Sequence, residues 1–354
     1  MAAPIAPRSC LAMTPRLHPQ LVNTPFGDPA VYVDFLFERR AFLFDLGEVS
    51  TLPARKLLRL THIFISHTHI DHFIGFDHLL RLFLGRDKQL HLTGPPGFVG
   101  QVASRLSAYT WNLVDSYPTD FVIVASELHP DGSGLTASFH SRERFVSRPV
   151  TQVSGPAGLA LAEPGLVVQA TFLDHKIPCL AYALSERLHV NVLKNKLGEV
   201  GLPVGAWLQD LKEAIVSGAG DDSVIRAWWR EGDEIVERSL QLGELRQQVV
   251  TVTTGQKIAY VTDTAFTPEN QQRIVALARG ADYLFIEATF LAADTVRAAE
   301  RCHLTARQSG ELARAAGVAR LVPFHFSPRY LGQADELYQE LAEAFGEEGI
   351  VLTH

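Results

Sequence analysis

Cysteine is scarce in this 354-residue chain. There are three, Cys10, Cys179 and Cys302, and no CxxC pair among them. That spacing excludes a zinc ribbon and a disulfide framework, and it points to a reducing, cytoplasmic compartment. Long apolar runs are missing as well. No stretch approaches the roughly 20 residues that a membrane helix needs. The first 25 residues, broken by Pro4, Pro7, Pro15 and Pro19, hold no run of signal-peptide length and read as a loose lead-in. Nor is there an excess of positive charge. Against 39 Asp and Glu stand 32 Lys and Arg, a formal charge of −7, which favours solubility and gives no support for broad, non-specific nucleic-acid binding. Internal repeats and low-complexity segments are absent.

The chain does have apolar material, 47% of its residues, enough for a sizeable core. Short β-rich runs at 30–37, 42–48, 61–68, 89–94, 121–128, 166–173, 179–186, 257–264, 283–290, 320–327 and 350–354 read as strands. Helical periodicity falls at 76–85, 95–110, 268–280, 305–316 and 334–346. Thr305 with Gln308 fits a capping box, and Thr267 before Pro268 fits a helix start. Many strands with helices clustered after blocks of them predict an α/β protein, an αββα sandwich of two face-to-face mixed sheets flanked by helices. One domain is expected over 26–354. Residues 187–246, with three of the four tryptophans (Trp207, Trp228, Trp229), break the strand pattern and read as an insertion projecting from it. An ordinary connecting helix pair is the alternative there.

The chemistry is concentrated in ISHTHIDH, residues 65–72. Residues two apart on a strand point the same way, so His67 and His69 can reach one metal ion. The chain then turns towards a helix, which aims Asp71 and His72 at a second position. Imidazole suits zinc and other borderline metals, and carboxylate adds a hard ligand. Three further polar residues end apolar runs: His175 in FLDHKIP, Asp263 in AYVTDTAF and His325 in LVPFHFSPRY. A buried charge or imidazole there is costly unless paired or ligated. Each alone reads more simply as a hydrogen-bonded core or loop residue. Beside the first motif, ligation is the better reading.

HTHIDH resembles the signature of the metallo-β-lactamase superfamily, and the rest resembles its ribonuclease Z branch, the tRNA 3′-processing endonucleases. FDLGE (44–48), TGPPG (93–97), DHKIPCLAYALSE (174–186), VTDT (261–264), IEATF (286–290), HLTARQSGELA (303–313) and HFSPRY (325–330) follow in that family's order. The resemblance implies the metallo-β-lactamase fold and two divalent transition-metal ions, zinc first, with manganese or iron as alternatives. It implies that His67, His69 and His175 hold one ion, that Asp71, His72 and His325 hold the other, and that Asp263 bridges them. Asp71 would also orient the attacking water between the metals. His303, oriented by Glu287, would assist the leaving oxygen, and Ser327 and Arg329 would hold a substrate phosphate. A homodimer and an RNA or nucleotide phosphodiester substrate, with tRNA 3′-trailer cleavage as the reaction, belong to the same expectation.

Three features depart from the family. Ile70 stands where the family usually has Gly, and the family's glycine-rich opening strand is not evident around LVNTPFGDP (21–29). The 187–246 insertion sits where ribonuclease Z carries its tRNA-gripping arm, yet it holds eight Lys and Arg against ten Asp and Glu, a net −2. Phosphate contacts dominate nucleic-acid affinity, so such an arm predicts weak tRNA binding with a shallow salt dependence. Two other readings stay open: a phosphodiesterase acting on small or cyclic nucleotides, and a lactone or thioester hydrolase on the same scaffold.

Overall fold

The computed structural model describes residues 16–36 and 38–353. Cys10 and most of the expected lead-in lie outside them. The described residues divide into two compact units: those within 17–162, 166–185 and 257–353 form the larger, and residues 16, 163–165 and 186–256 the smaller.

The larger unit holds two sheets. The first, in spatial order, is β1 (Leu17–Leu21), β2 (Val31–Phe35), β3 (Ala41–Phe44), β4 (Leu60–Phe64), β5 (Lys88–Gly94), β6 (Phe121–Leu128), β7 (Ser133–His140) and β8 (Thr151–Ser154). Between its strands lie α1 (Ala54–Leu57), α2 (Ile70–Phe73), α3 (Phe76–Phe83) and α4 (Phe98–Ser107). β9 (Leu159–Glu163), β10 (Leu166–Asp174) and β11 (Pro178–Glu186) begin the second sheet. The smaller unit then contributes β12 (Leu188–Val192), α5 (Lys194–Glu199), α6 (Trp207–Val216), β13 (Val224–Glu231), β14 (Glu234–Gln241), α7 (Leu242–Val249) and β15 (Val250–Thr254). The second sheet resumes with β16 (Lys257–Val261), α8 (Pro268–Ala278), β17 (Tyr283–Glu287), α9 (Thr295–Arg301), α10 (Ala306–Ala316), β18 (Leu321–Phe324) and α11 (Ala334–Phe345). Its order is β18-β17-β16-β11-β10-β9. β16, β17 and β18 run parallel, whereas β11 and β16 pair antiparallel with Ser185 opposite Lys257.

The continuous apolar runs follow from burial on both faces, where successive side chains go to opposite layers. Phe42, Phe44, Phe64, Tyr260, Phe285 and Phe324 meet in the core between the sheets. Leu43 and Ile63 pack outward with Phe76, Leu80 and Val102 of α3 and α4. Ala259, Leu284 and Ile286 pack outward with Ile274, Leu312 and Leu341 of α8, α10 and α11. The layers are therefore helix, sheet, sheet, helix. Thr305 and Gln308 close the capping box that starts α10, and the Thr267 side chain accepts from Asn270 N at the start of α8.

Three sequence expectations need correction. Residues 17–21, read as lead-in, form β1. Pro19 concealed it, because proline suits only an edge strand, and β1 is the sheet's edge. Residues 350–353 form no strand; Ile350 makes an isolated bridge with Leu321, and Val351 N donates to the Leu321 carbonyl at 2.8 Å. In 187–246 the strand pattern does not stop. β13 and β14 make a regular hairpin, Glu231 opposite Glu234, turning at Gly232 (φ 66°) and Asp233. This unit has its own core of Trp207, Leu211, Ile215, Ile225, Leu245 and Val249, among others.

Candidate metal centre

The strands of the larger unit stop where their polar residues begin. β4 leads into Ser66 and His67, and α2 starts immediately after His69, carrying Asp71 in its first turn. β10 ends at Asp174 before His175, β16 ends two residues before Asp263, and β18 ends before His325. Because β16, β17 and β18 are parallel, Asp263, Glu287 and His325 come to one edge.

Ligand-type atoms of His67, His69, His175 and Asp263 lie within 4.8 Å of one another, as do those of Asp71, His72 and His325 and those of Asp263, Glu287, His303 and His325. The two oxygens of Asp263 face different histidines. Its Oδ2 is 3.7 Å from His67 Nε2 and 3.4 Å from His175 Nε2; its Oδ1 is 3.4 Å from His72 Nε2 and 3.1 Å from His325 Nδ1. Asp71 Oδ2 is 3.5 Å from His72 Nε2 and 3.2 Å from His325 Nε2. Every residue expected at the site is thus in one place. Ser327 and Arg329 line the same cavity, about 410 Å³ in volume, with His69, Asp71, Asp263, His303 and His325. Ile70, the departure from the family, is 73% exposed.

The donor set fits divalent metal ions. His67 Nε2, His72 Nε2 and His325 Nδ1 are buried without a hydrogen-bond partner among the described residues, a costly state that ligation relieves. The opposite ring nitrogens are tied down. His72 Nδ1 meets Asp45 Oδ2 at 2.7 Å, His175 Nδ1 meets the Cys302 carbonyl at 2.8 Å, and His67 Nδ1 meets Ser66 Oγ at 3.0 Å. Such partners fix the tautomer and leave Nε2 for the metal.

The protonation states carry the same balance. Burial pushes the His67 imidazole down to about 2, with further lowering from the neighbouring histidines. Burial also acts against charge on His325 and His72. The Asp263 carboxylate outweighs it at both, raising His325 to about 10 and, with Asp45, holding His72 well above the usual imidazole value. In turn the His325 and His72 charges overcome burial and hold Asp263 well below the usual carboxylate range. Metal binding displaces such protons.

Sequence reading assigns Asp45 no role, yet it is fully buried at the centre of this network. Its carboxylate accepts from Ser66 N (2.6 Å), Ser66 Oγ (2.7 Å) and Tyr260 Oη (2.7 Å) besides facing His72. It adopts a left-handed φ of 55°, a strained value held by this packing. The available signal was a carboxylate ending the apolar run FLFD, the same cue that marked Asp263. Asp45→Asn is expected to weaken metal affinity about 10–100-fold, as loss of such a supporting partner does. Competition with a chromogenic chelator measures this; unchanged affinity would mean that Asp45 only packs.

Glu287 is fully buried. Its Oε2 holds His303 Nδ1 at 2.8 Å and accepts from Thr289 Oγ1 at 2.5 Å, while Oε1 accepts from Thr264 N at 2.8 Å. Burial would discharge His303, but the carboxylates of Glu287 and Asp263 raise its pKa.

Residues 244–326 match the family described as the beta-lactamase superfamily domain. The ribonuclease Z of Deinococcus radiodurans is 31% identical over 315 residues, 88% of this chain and 90% of that one. The ribonuclease Z of Parabacteroides distasonis is 29% identical over 326 residues, 89% and 90% of the two chains. Among solved structures, the metallo-beta-lactamase fold protein YhfI from Bacillus subtilis aligns over 94% of this chain and 93% of its own with a TM-score of 0.51. At 15% identity that likeness shows the fold alone. With the layered sandwich, a histidine–aspartate centre suited to divalent metal and near-full-length similarity to these relatives, the chain belongs to the ribonuclease Z family and is a metal-dependent phosphodiesterase of the metallo-β-lactamase fold.

Proposed function

We propose that the chain cleaves the 3′ trailer from precursor tRNA, leaving a 3′-hydroxyl on the tRNA and a 5′-phosphate on the trailer. The observation that carries this reading is the His303–Glu287 pair set against the histidine–aspartate cluster, Nδ1 of His303 lying 4.0 Å from Asp263 Oδ2. In this reading His67, His69 and His175 would hold one ion, Asp71, His72 and His325 would hold the other, and Asp263, which faces both groups, would serve both. Zinc is the ion that this imidazole-rich set favours. Bound there, two such ions supply Lewis-acid neutralisation of phosphoryl charge and water made acidic enough to ionise near neutral pH.

The chain's own residues do the rest. Asp71 accepts a hydrogen bond from the attacking water. Ser327 and Arg329 orient the phosphate, Arg329 staying in reach of Asp294 Oδ2 at 3.7 Å. His303, its Nδ1 fixed by Glu287, gives a proton to the departing 3′ oxygen. A cytoplasmic homodimer accompanies this reading. Its free thiols at Cys179 and Cys302 suit that compartment, and light scattering tests for twice the 39.0 kDa chain mass.

The net −2 of residues 187–246 favours a second reading, turnover of small or cyclic nucleotides. A panel of precursor tRNA, a cyclic dinucleotide, a chromogenic phosphodiester and a lactone, run with zinc-loaded protein, separates them. The diester and the precursor should be hydrolysed; lactone hydrolysis without either would overturn the proposal. Replacing residues 186–256 by a short turn from Ser185 to Lys257 should change the salt slope of precursor binding little. A steep slope that disappears with the segment would make it the main RNA-binding element after all.

A further inference from the structure

The wall of the metal cavity carries more positive charge than the proposed reaction uses. Arg297 and Arg301 line it beside Arg329 and His303. Both lie on α9, four residues apart and so on one face of the helix. The helix is anchored by buried Ala298 and braced at its C-terminal end. Lys176 Nζ donates to the Glu300 carbonyl at 2.8 Å, and the Cys302 carbonyl accepts from His175 Nδ1 at 2.8 Å. The two arginines therefore stand on a rigid element tied to the centre itself.

Arg329 has Asp294 for a counter-charge. The side chains of Arg297 and Arg301 have no ion pair and no hydrogen bond among the described residues. Two guanidiniums beside a site for divalent cations repel both the ions and each other, and the arrangement becomes favourable only when anions enter. One diester brings a single negative charge, which the metal ions and Arg329 already meet. Guanidinium forks match phosphate oxygens in pairs. We infer that Arg297 and Arg301 bind the phosphates flanking the scissile one, so that the cavity takes a polynucleotide strand in preference to an isolated diester or a cyclic nucleotide.

This rests on the phosphodiesterase reading of the cavity, and the test separates the two. Metal-loaded wild type and Arg297→Ala/Arg301→Ala are compared on an unstructured oligoribonucleotide and on bis(p-nitrophenyl) phosphate. The double variant should raise KM for the oligonucleotide about tenfold more than KM for the small diester. The slope of log affinity against log salt should fall by about 1.4, since each single-strand phosphate neutralised by an arginine contributes roughly 0.7. Arg297→Lys/Arg301→Lys keeps both charges and should keep most of the slope. Arg297→Gln/Arg301→Gln gives the same readout if the alanines weaken α9. Equal shifts for both substrates with an unchanged slope would overturn the inference. Failure of wild type to hydrolyse either substrate would overturn the reading beneath it, while the salt slope, measured by binding without turnover, still reports on the arginines.

Discussion

Asp263→Ala should leave the chain with at least one metal ion fewer and should lower kcat/KM for any phosphodiester by about 10³-fold or more, the upper range for removing one electrostatic stabiliser from a dry site. The reason is that its two oxygens face separate histidine groups, Oδ2 towards His67 and His175 and Oδ1 towards His72 and His325. No other residue among the described ones touches both sets so directly. The metal-free protein should suffer as well, because His72 and His325 owe their raised pKa values first to Asp263 once burial is overcome. Removing one partner of a buried charge pair typically costs about 3–5 kcal/mol. Elemental analysis and thermal unfolding of the apo form check both parts. Full metal content in the variant would sink the bridging assignment.

The second large effect separates proton transfer from ligation. His303→Ala should keep its metal and lose about 10²–10⁴-fold in kcat on RNA, the usual worth of a general acid. On a nitrophenyl diester the loss should be far smaller, since nitrophenolate leaves without needing a proton. The pH profile gives a further check. The carboxylates of Glu287 and Asp263 raise the His303 pKa against the effect of burial. An acid must be protonated to act, so wild-type activity is present below that raised value and declines as pH climbs through it. The variant should lack that alkaline limb. Metal depletion in His303→Ala would instead place His303 among the ligands, a role that its grouping with Asp263, Glu287 and His325 allows.

How much of this was legible in the sequence depends on how local each cue is. ISHTHIDH is readable because His67, His69, Asp71 and His72 occupy one strand end and the first turn of α2, so their geometry is set within eight residues. His175, Asp263 and His325 were readable because each interrupts an apolar run. Asp45 carried the same cue, but its role arises from His72, Ser66 and Tyr260, which are 27, 21 and 215 positions away. Arg297 and Arg301 belong to no motif in the sequence; only the fold sets them in one cavity with His69, Asp71, Asp263 and His325. The β13–β14 hairpin was missed because its strands are largely exposed and charged, so an alternation such as that of Ile225 and Ala227 with Arg226 and Trp228 was masked. Even so, Gly232-Asp233 between two β-branched runs was a usable turn signal.

Ser185 and Lys257 are partners in the β11–β16 ladder, yet residues 186–256 lie between them along the chain. In topological terms the smaller unit is spliced into the tip of a hairpin that would close without it. The entropy of closing a loop depends only weakly on its length, roughly 0.6 kcal/mol per doubling, and here the ends are already pinned by the ladder. Lengthening, shrinking or exchanging the spliced segment therefore leaves the register of β16, and with it the position of Asp263, undisturbed. Substrate range can then drift in the segment while the hydrolytic centre stays fixed. A lineage could trade one clientele for another without rebuilding its chemistry.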